Sequence, residues 1–386
     1  MRVADASPLD LGELSPNTWD ALAADRFYSS SSWLRLCATT PGATSTGVVV
    51  AKEDGARVLA AAPVTVVEGL PSAFYRWNEL MAGHGLPQPP ATGLMIGSDQ
   101  GYRSDFLYGP GVDRAKAAEA LTAELAVRHQ ALPGADQQAL VGMYLSTDTA
   151  RAISDSIDCP PPVFLETEGW WEIPEGGWEE YLENHSYKRR VAIRAEVRRF
   201  AEAGYTVEHL PLAECCETIA RLAAVTQSKY GHSGSEEKEL AAFQRHAAVM
   251  GDNATVAVCR LPTGEAVGFC LYYVWGDTLY LRAAGFDYER LVGAAEYFNL
   301  VIYGQIMRAP ELGVRNLHAG IKAPEAKALR GAALRPLWFV DLSPQSVLHG
   351  HAAEIRAHNA AALDRLTADR RTASRVSDRE TWLGFC

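Results

Sequence analysis

Apolar positions along the chain recur with two periods, and the switches between them mark out the elements. Residues 47–52 and 57–67 are runs of valine and alanine separated by Glu53-Asp54-Gly55, which predicts a β-hairpin with an Asp-Gly turn. Before it, residues 1–40 read as a loop and then helix: Ser15-Pro16 supplies a cap and a first-turn proline ahead of Trp19, Leu22 and Ala23. Residues 68–112 carry many glycines and prolines with several aromatics and read as one long connection. A helix is expected over 113–131 and a buried strand over 139–146. The run Asp158-Cys159-Pro160-Pro161-Pro162 can continue neither a helix nor a central strand and marks a boundary.

The second half repeats this grammar. Residues 163–173 are extended, 178–203 read as one long helix stopped by Gly204, and 205–209 as a strand. Helices are expected over 212–230 and 238–250, with a polar loop at 231–237 between them. A second hairpin pairs 255–260 with 266–275 around Pro262-Thr263-Gly264-Glu265. Residues 278–331 then form a strand, a polar turn, a long apolar helix, a second strand near 314–318 and a lysine-bearing loop and helix. One hairpin in each half suggests two related α/β modules, 1–158 and 163–342, the first degenerate, followed by a helical tail over 343–386.

Composition narrows the class. With 48% hydrophobic and 22% charged residues, the 386-residue chain can bury a sizeable core. A net charge of -11 excludes nucleic-acid binding through whole-molecule charge and leaves room only for a local basic face. Seven cysteines without a C-x-x-C pair point away from zinc and redox chemistry and toward free thiols in a reducing cytoplasm. The first 30 residues show no basic segment followed by an apolar one, and no apolar run reaches the ~18 residues of a membrane span. G-x-S-x-G, Walker and metal-ligand motifs are absent.

The chemistry concentrates in the second half. Arg290-Leu291-Val292-Gly293-Ala294-Ala295 is an R-x-x-G-x-A turn between a strand and a helix, where backbone N–H groups and the helix dipole can face a phosphate. Lys188, Arg189, Arg190, Arg194, Arg198 and Arg199 form a cationic cluster, either a solvated helix face or an anion surface for coenzyme A or tRNA phosphates. Glu296, His318 and Tyr297 are the acid–base candidates beside the turn. Lys229, Tyr230 and His232, in a polar loop, are candidates for an acceptor pocket.

The order hairpin, strand, R-x-x-G-x-A turn, helix, strand is similar to the GNAT acyltransferase superfamily, whose turn binds the pyrophosphate of an acyl donor. HSYKRRVAIRAEVRRFAEAG, residues 185–204, and KALRG, residues 327–331, resemble the Fem-like branch and its BioF2-like, peptidoglycan-biosynthesis-type relatives. The inserted coiled-coil arm of some Fem ligases has no counterpart here. The resemblance implies an α/β fold of tandem GNAT-like modules, each a mixed twisted sheet flanked by helices. It implies direct amide formation between an acyl donor and the amine of a small-molecule acceptor, such as a natural-product or cell-wall precursor. Donor binding would fall to Arg290, Gly293 and Ala295 of the turn, and to Lys322, Lys327 and Arg330 around K-x-x-R-G. Acyl-coenzyme A would be the co-substrate, with aminoacyl-tRNA as the alternative and a binding module without catalysis as the third reading. No resident cofactor, metal or DNA partner is expected.

Overall fold

The computed structural model describes residue 11 and residues 14–42, 44–55, 57–231 and 234–386. Its first six strands are β1 (Thr44–Glu53), β2 (Arg57–Val67), β3 (Gly93–Ile96), β4 (Leu107–Tyr108), β5 (Ala139–Ser146) and β6 (Val163–Glu172). The rest are β7 (Thr206–Pro211), β8 (Ala254–Arg260), β9 (Ala266–Trp275), β10 (Thr278–Phe286), β11 (Asn316–Ile321) and β12 (Ala333–Asp341). Contacts divide the chain into two compact units, Met1–Gly169 with Ile321–Cys386, and Trp170–Gly320. The division falls inside the stretch expected as the second module, 163–342, and residues 343–386 belong with the first unit.

In the first unit the strands run β1-β2-β3-β5-β12-β6, with β4 pairing β2. The expected hairpin forms, in register from Thr44↔Val67 to Glu53↔Arg57. Residues 68–112 are more than a connection. The apolar Leu94-Met95-Ile96 suffices to place β3 against β2, and Trp77–Gly83 is helical. β5 is buried at every position, as a strand with both faces covered must be. One face packs Leu121, Leu125, Phe164, Trp338 and Trp382, and the other packs Trp77, Met81, Phe339 and Ile355. The C-terminal helices Ala352–Ala368 and Arg379–Gly384 complete this core. Trp382 is fully buried, stacks on Phe164 at 4.5 Å and donates from Nε1 to the Asn359 carbonyl at 3.1 Å. The Asn359 side chain, also fully buried, accepts from Phe164 N at 2.9 Å and donates to the carbonyls of Pro162 and Phe385 at 2.8 and 2.7 Å.

In the second unit the order is β11-β10-β9-β8-β7, antiparallel except for β10 with β11. The long helix expected over 178–203 is two helices, Gly177–Glu183 and Tyr187–Glu202. The break has a local cause. His185 turns its Nδ1 back to the Tyr181 carbonyl at 2.8 Å, and Ser186 caps the new helix by accepting from Arg189 N at 3.4 Å. After β10 and its turn, helix Glu296–Phe298 runs into a π-helical turn, Asn299–Tyr303, and then into helix Gly304–Leu312. The wide turn brings the Asn299 carbonyl to 2.8 Å from where a Cβ on residue 304 would lie, so only glycine fits there.

If the C-terminal segment is core, Trp382→Ala should destabilise the protein by about 3–5 kcal/mol, the usual cost of emptying a buried aromatic site. Urea denaturation measures it. A change within ~0.5 kcal/mol, typical of surface substitutions, would show that the segment is only a cover.

Candidate functional site

The turn after β10 is built by its own hydrogen bonds. Asp287 N donates to the Val267 carbonyl at 2.9 Å and Arg290 N to the Asp287 carbonyl at 3.1 Å. Gly293 has φ +79°, with open space where a Cβ would point, and Ala295 has φ +58°. With these left-handed residues between them, the N–H groups of Val292, Ala294 and Glu296 converge on one point, as in an anion nest. The nest is already filled. Glu296, 5% exposed, folds its carboxylate back so that Oε1 accepts from Val292 N at 3.0 Å and from the Tyr205 hydroxyl at 3.0 Å. Burial by itself would raise the Glu296 carboxyl; the backbone N–H groups of Ala294, Glu296 and Val292 and the Tyr205 hydroxyl outweigh it and hold the group below its ordinary value. Arg290 is likewise engaged, in an ion pair with Glu265.

The other acid–base candidates separate. His318 is fully buried on β11, paired opposite Tyr280 and 4.6 Å from the Trp170 ring, so it has no route to a substrate in this conformation. Tyr297 is 45% exposed beside Phe286 and, of the three, faces solvent. Lys229 places Nζ 3.1 Å from the Tyr288 ring centroid, a cation–π contact, and the Tyr230 hydroxyl lies 3.4 Å from that of Tyr288. His232 lies outside the described residues.

Helix Tyr187–Glu202 carries the cationic cluster on a largely solvent-facing surface, with Ile193 its buried anchor. Its cations divide by partner. Arg194 pairs with Glu179 at 3.2 Å and Arg198 with Glu202 at 3.7 Å. Arg190 donates to the carbonyls of Glu183 and His185 at 3.4 and 3.3 Å, closing the end of the preceding helix. Lys188 and Arg189 have no acidic partner among the described residues.

Lys322, Lys327 and Arg330 lie in the first unit. Lys322, at φ +73°, pairs with Glu166 at 2.7 Å and stays exposed. Lys327 is 8% exposed and donates from Nζ to the Ile321 carbonyl at 2.9 Å. Its stem runs over Gly169, where a Cβ would come within 2.7 Å of Cδ. Burial pulls its pKa down and the Glu166 and Glu168 carboxylates restore part of it, leaving it at about 7. Glu168, fully buried, accepts from Arg103 Nη1 at 2.8 Å, and Arg103 grips Asp105 with Nε and Nη2 at 2.8 and 3.1 Å. Arg330 is buried and donates to the Ala326 carbonyl at 3.2 Å. Sequence reasoning missed Tyr205, Glu265, Tyr288, Glu166 and Glu168. Only the last two carried a local signal: Glu166 and Glu168, two residues apart and so on one face of strand β6.

Lys327 makes a pH prediction with a definite sign. Its folded pKa of about 7 lies below its ordinary value of 10.5, so the stability tied to it is complete above the unfolded pKa and lost as pH falls toward 7. Lys327→Met should therefore gain stability over wild type at pH 6, and the gain should shrink as pH rises from about 7 to about 10. Thermal denaturation of both proteins across that range checks it; a difference independent of pH would refute the shift.

Residues 187–328 match the family model described as an acetyltransferase (GNAT) domain. No curated protein matches the chain by sequence. Among solved structures, FemX is 13% identical, with a TM-score of 0.59 over 87% of this chain and 98% of that one. L-PGS from Bacillus licheniformis is 12% identical, with a TM-score of 0.51 over 89% and 96% of the two chains. A conserved protein of unknown function from Bacteroides thetaiotaomicron is 11% identical, with a TM-score of 0.53 over 85% and 98%. No described helix is long and apolar enough to cross a membrane, and the described residues hold no group of three or more His, Cys, Asp or Glu arranged for a metal. Residues 187–328 thus carry a GNAT-type acetyltransferase domain, and the fold of the chain is similar to that of FemX.

Proposed function

We propose that this acyltransferase moves an aminoacyl group from aminoacyl-tRNA to the amine of a small acceptor. The amine nitrogen attacks the carbonyl carbon of the donor ester, the ribose oxygen leaves with a proton, and an amide forms without a covalent enzyme intermediate. The observation that supports this donor is helix Tyr187–Glu202: six cations against the two carboxylates Glu196 and Glu202, in a chain of net charge -11. Lys188 and Arg189, which lack acidic partners, are the phosphate contacts it offers first; Arg194 and Arg198 must exchange a carboxylate for a phosphate. The Fem-like resemblance of residues 185–204 and 327–331 points to the same donor. The other reading, acyl-coenzyme A, draws on the R-x-x-G-x-A turn.

Binding of bulk aminoacyl-tRNA, followed by gel shift, tests the donor. Counterion release gives a salt slope of roughly -0.7 to -0.9 per phosphate contacted, so about four contacts lose more than tenfold affinity between about 50 and 200 mM salt. Lys188→Ala and Arg189→Ala should each flatten that slope by about one unit. Absence of binding at low salt removes the tRNA donor.

A further inference from the structure

We infer that Glu296 is a built-in occupant of the phosphate-binding turn and that it bars acyl-coenzyme A from docking its pyrophosphate there. The turn retains the shape of an anion site. Left-handed Gly293 at φ +79° and Ala295 at φ +58° lie between the residues whose N–H groups converge, Val292, Ala294 and Glu296, and nothing crowds Gly293 from outside. What it lacks is a vacancy. The carboxylate of Glu296 takes the N–H of Val292 at 3.0 Å and those of Ala294 and its own residue, and the Tyr205 hydroxyl closes the set at 3.0 Å. The same hydroxyl also accepts from Val292 N at 3.2 Å, so the N–H groups that converge on this point are already engaged from within the chain.

A tethered carboxylate competes with any free anion at a large effective concentration. A pyrophosphate would have to expel it, leave a charged group buried without donors, and sit beside it at like-charge distance. The titration behaviour agrees, since the hydrogen bonds keep Glu296 ionised rather than letting burial neutralise it. The second half of the pattern is closed as well: Arg290, the cation of R-x-x-G-x-A, is neutralised by Glu265. A pair this exposed, with side chains 37% and 56% accessible, would open at little cost, so the barrier is Glu296 and not Glu265.

The assignment rests on the turn alone and stands apart from the tRNA donor. Isothermal titration of coenzyme A, and separately of inorganic pyrophosphate, into the full-length wild type, Glu296→Gln and Glu296→Ala tests it. Wild type should take up neither probe. Both variants should bind both probes, Glu296→Ala at least roughly tenfold tighter than any residual wild-type binding, as removal of a charge-assisted acceptor from its donors would give. Glu296→Gln keeps the side chain's shape while removing its charge, so it covers the case in which the alanine variant fails to fold. Stoichiometric coenzyme A binding by wild type overturns the inference, and so does a folded Glu296→Gln that binds neither probe. A chain that binds no tRNA yet shows the gain loses the donor reading and keeps this one.

Discussion

A helix leaves its first N–H groups without intrahelical acceptors, and a buried start cannot leave them to water. The segment beginning at Glu296 faces this constraint in the second unit, where Leu300, Val301, Ile302 and Tyr303 are all buried. GNAT-type turns can meet it with a bound phosphate. Here a side chain meets it, and several features follow. Tyr205 is drawn onto the turn by Glu296 and Val292. Asn299 turns Nδ2 to the carbonyls of Ala294 and Ala295 at 3.3 and 3.0 Å, and the helix widens into its π turn directly afterward. Gly304 is then required where the widened backbone comes close.

Glu296 and Lys327 are both buried ionisable groups with opposite fates. The carboxylate is surrounded by donors, so it stays charged and serves the fold. The ammonium has the Ile321 carbonyl, two carboxylates beyond it and a glycine that makes room for its stem, so its charge is held weakly. A group held near its midpoint at neutral pH answers small electrostatic changes. Lys322, five residues earlier, shows the contrast: exposed and paired with Glu166, its charge is ordinary surface charge.

Much of this fold was legible because the hydrophobic period decides it. Both hairpins, the strand over 139–146 and helices near 114–130 and 212–229 follow from alternation and turn chemistry alone. The break at residues 184–186 was not legible, because no glycine or proline marks it; a histidine folding onto its own helix and a serine cap make it. The core role of Trp382 and Phe385 was hidden because a short terminal segment has no period long enough to read. At the site, the R-x-x-G-x-A pattern correctly located the turn, while the residue after it decides what the turn can hold. Spacing reports where N–H groups point and is silent about which neighbour reaches them first. His318 illustrates the converse, since a histidine on a strand looks available until Trp170 and Tyr280 are folded over it.

The basic helix departs from a local preference that only some helices of the chain follow; helix Arg114–Gln130 also opens with Arg114 and Lys116 and has no acidic residue in its first turn. A helix N-terminus is the positive end of its dipole and favours acidic residues, as in helix Glu236–Met250, whose first turn holds Glu236, Glu237 and Glu239. Helix Tyr187–Glu202 has no acidic residue there and instead opens with Lys188, Arg189 and Arg190. Arg190 repairs part of the cost by reaching back to the carbonyls of Glu183 and His185, where positive charge is favourable. Lys188 and Arg189 repair nothing. Two cations at the positive end of a helix, in an acidic chain, cost the free helix a little stability. Such violations collect where function overrides local preference. On the tRNA reading, an incoming polyanion would relieve the dipole and the crowded charges together, so the arrangement that weakens the free helix would strengthen the proposed complex.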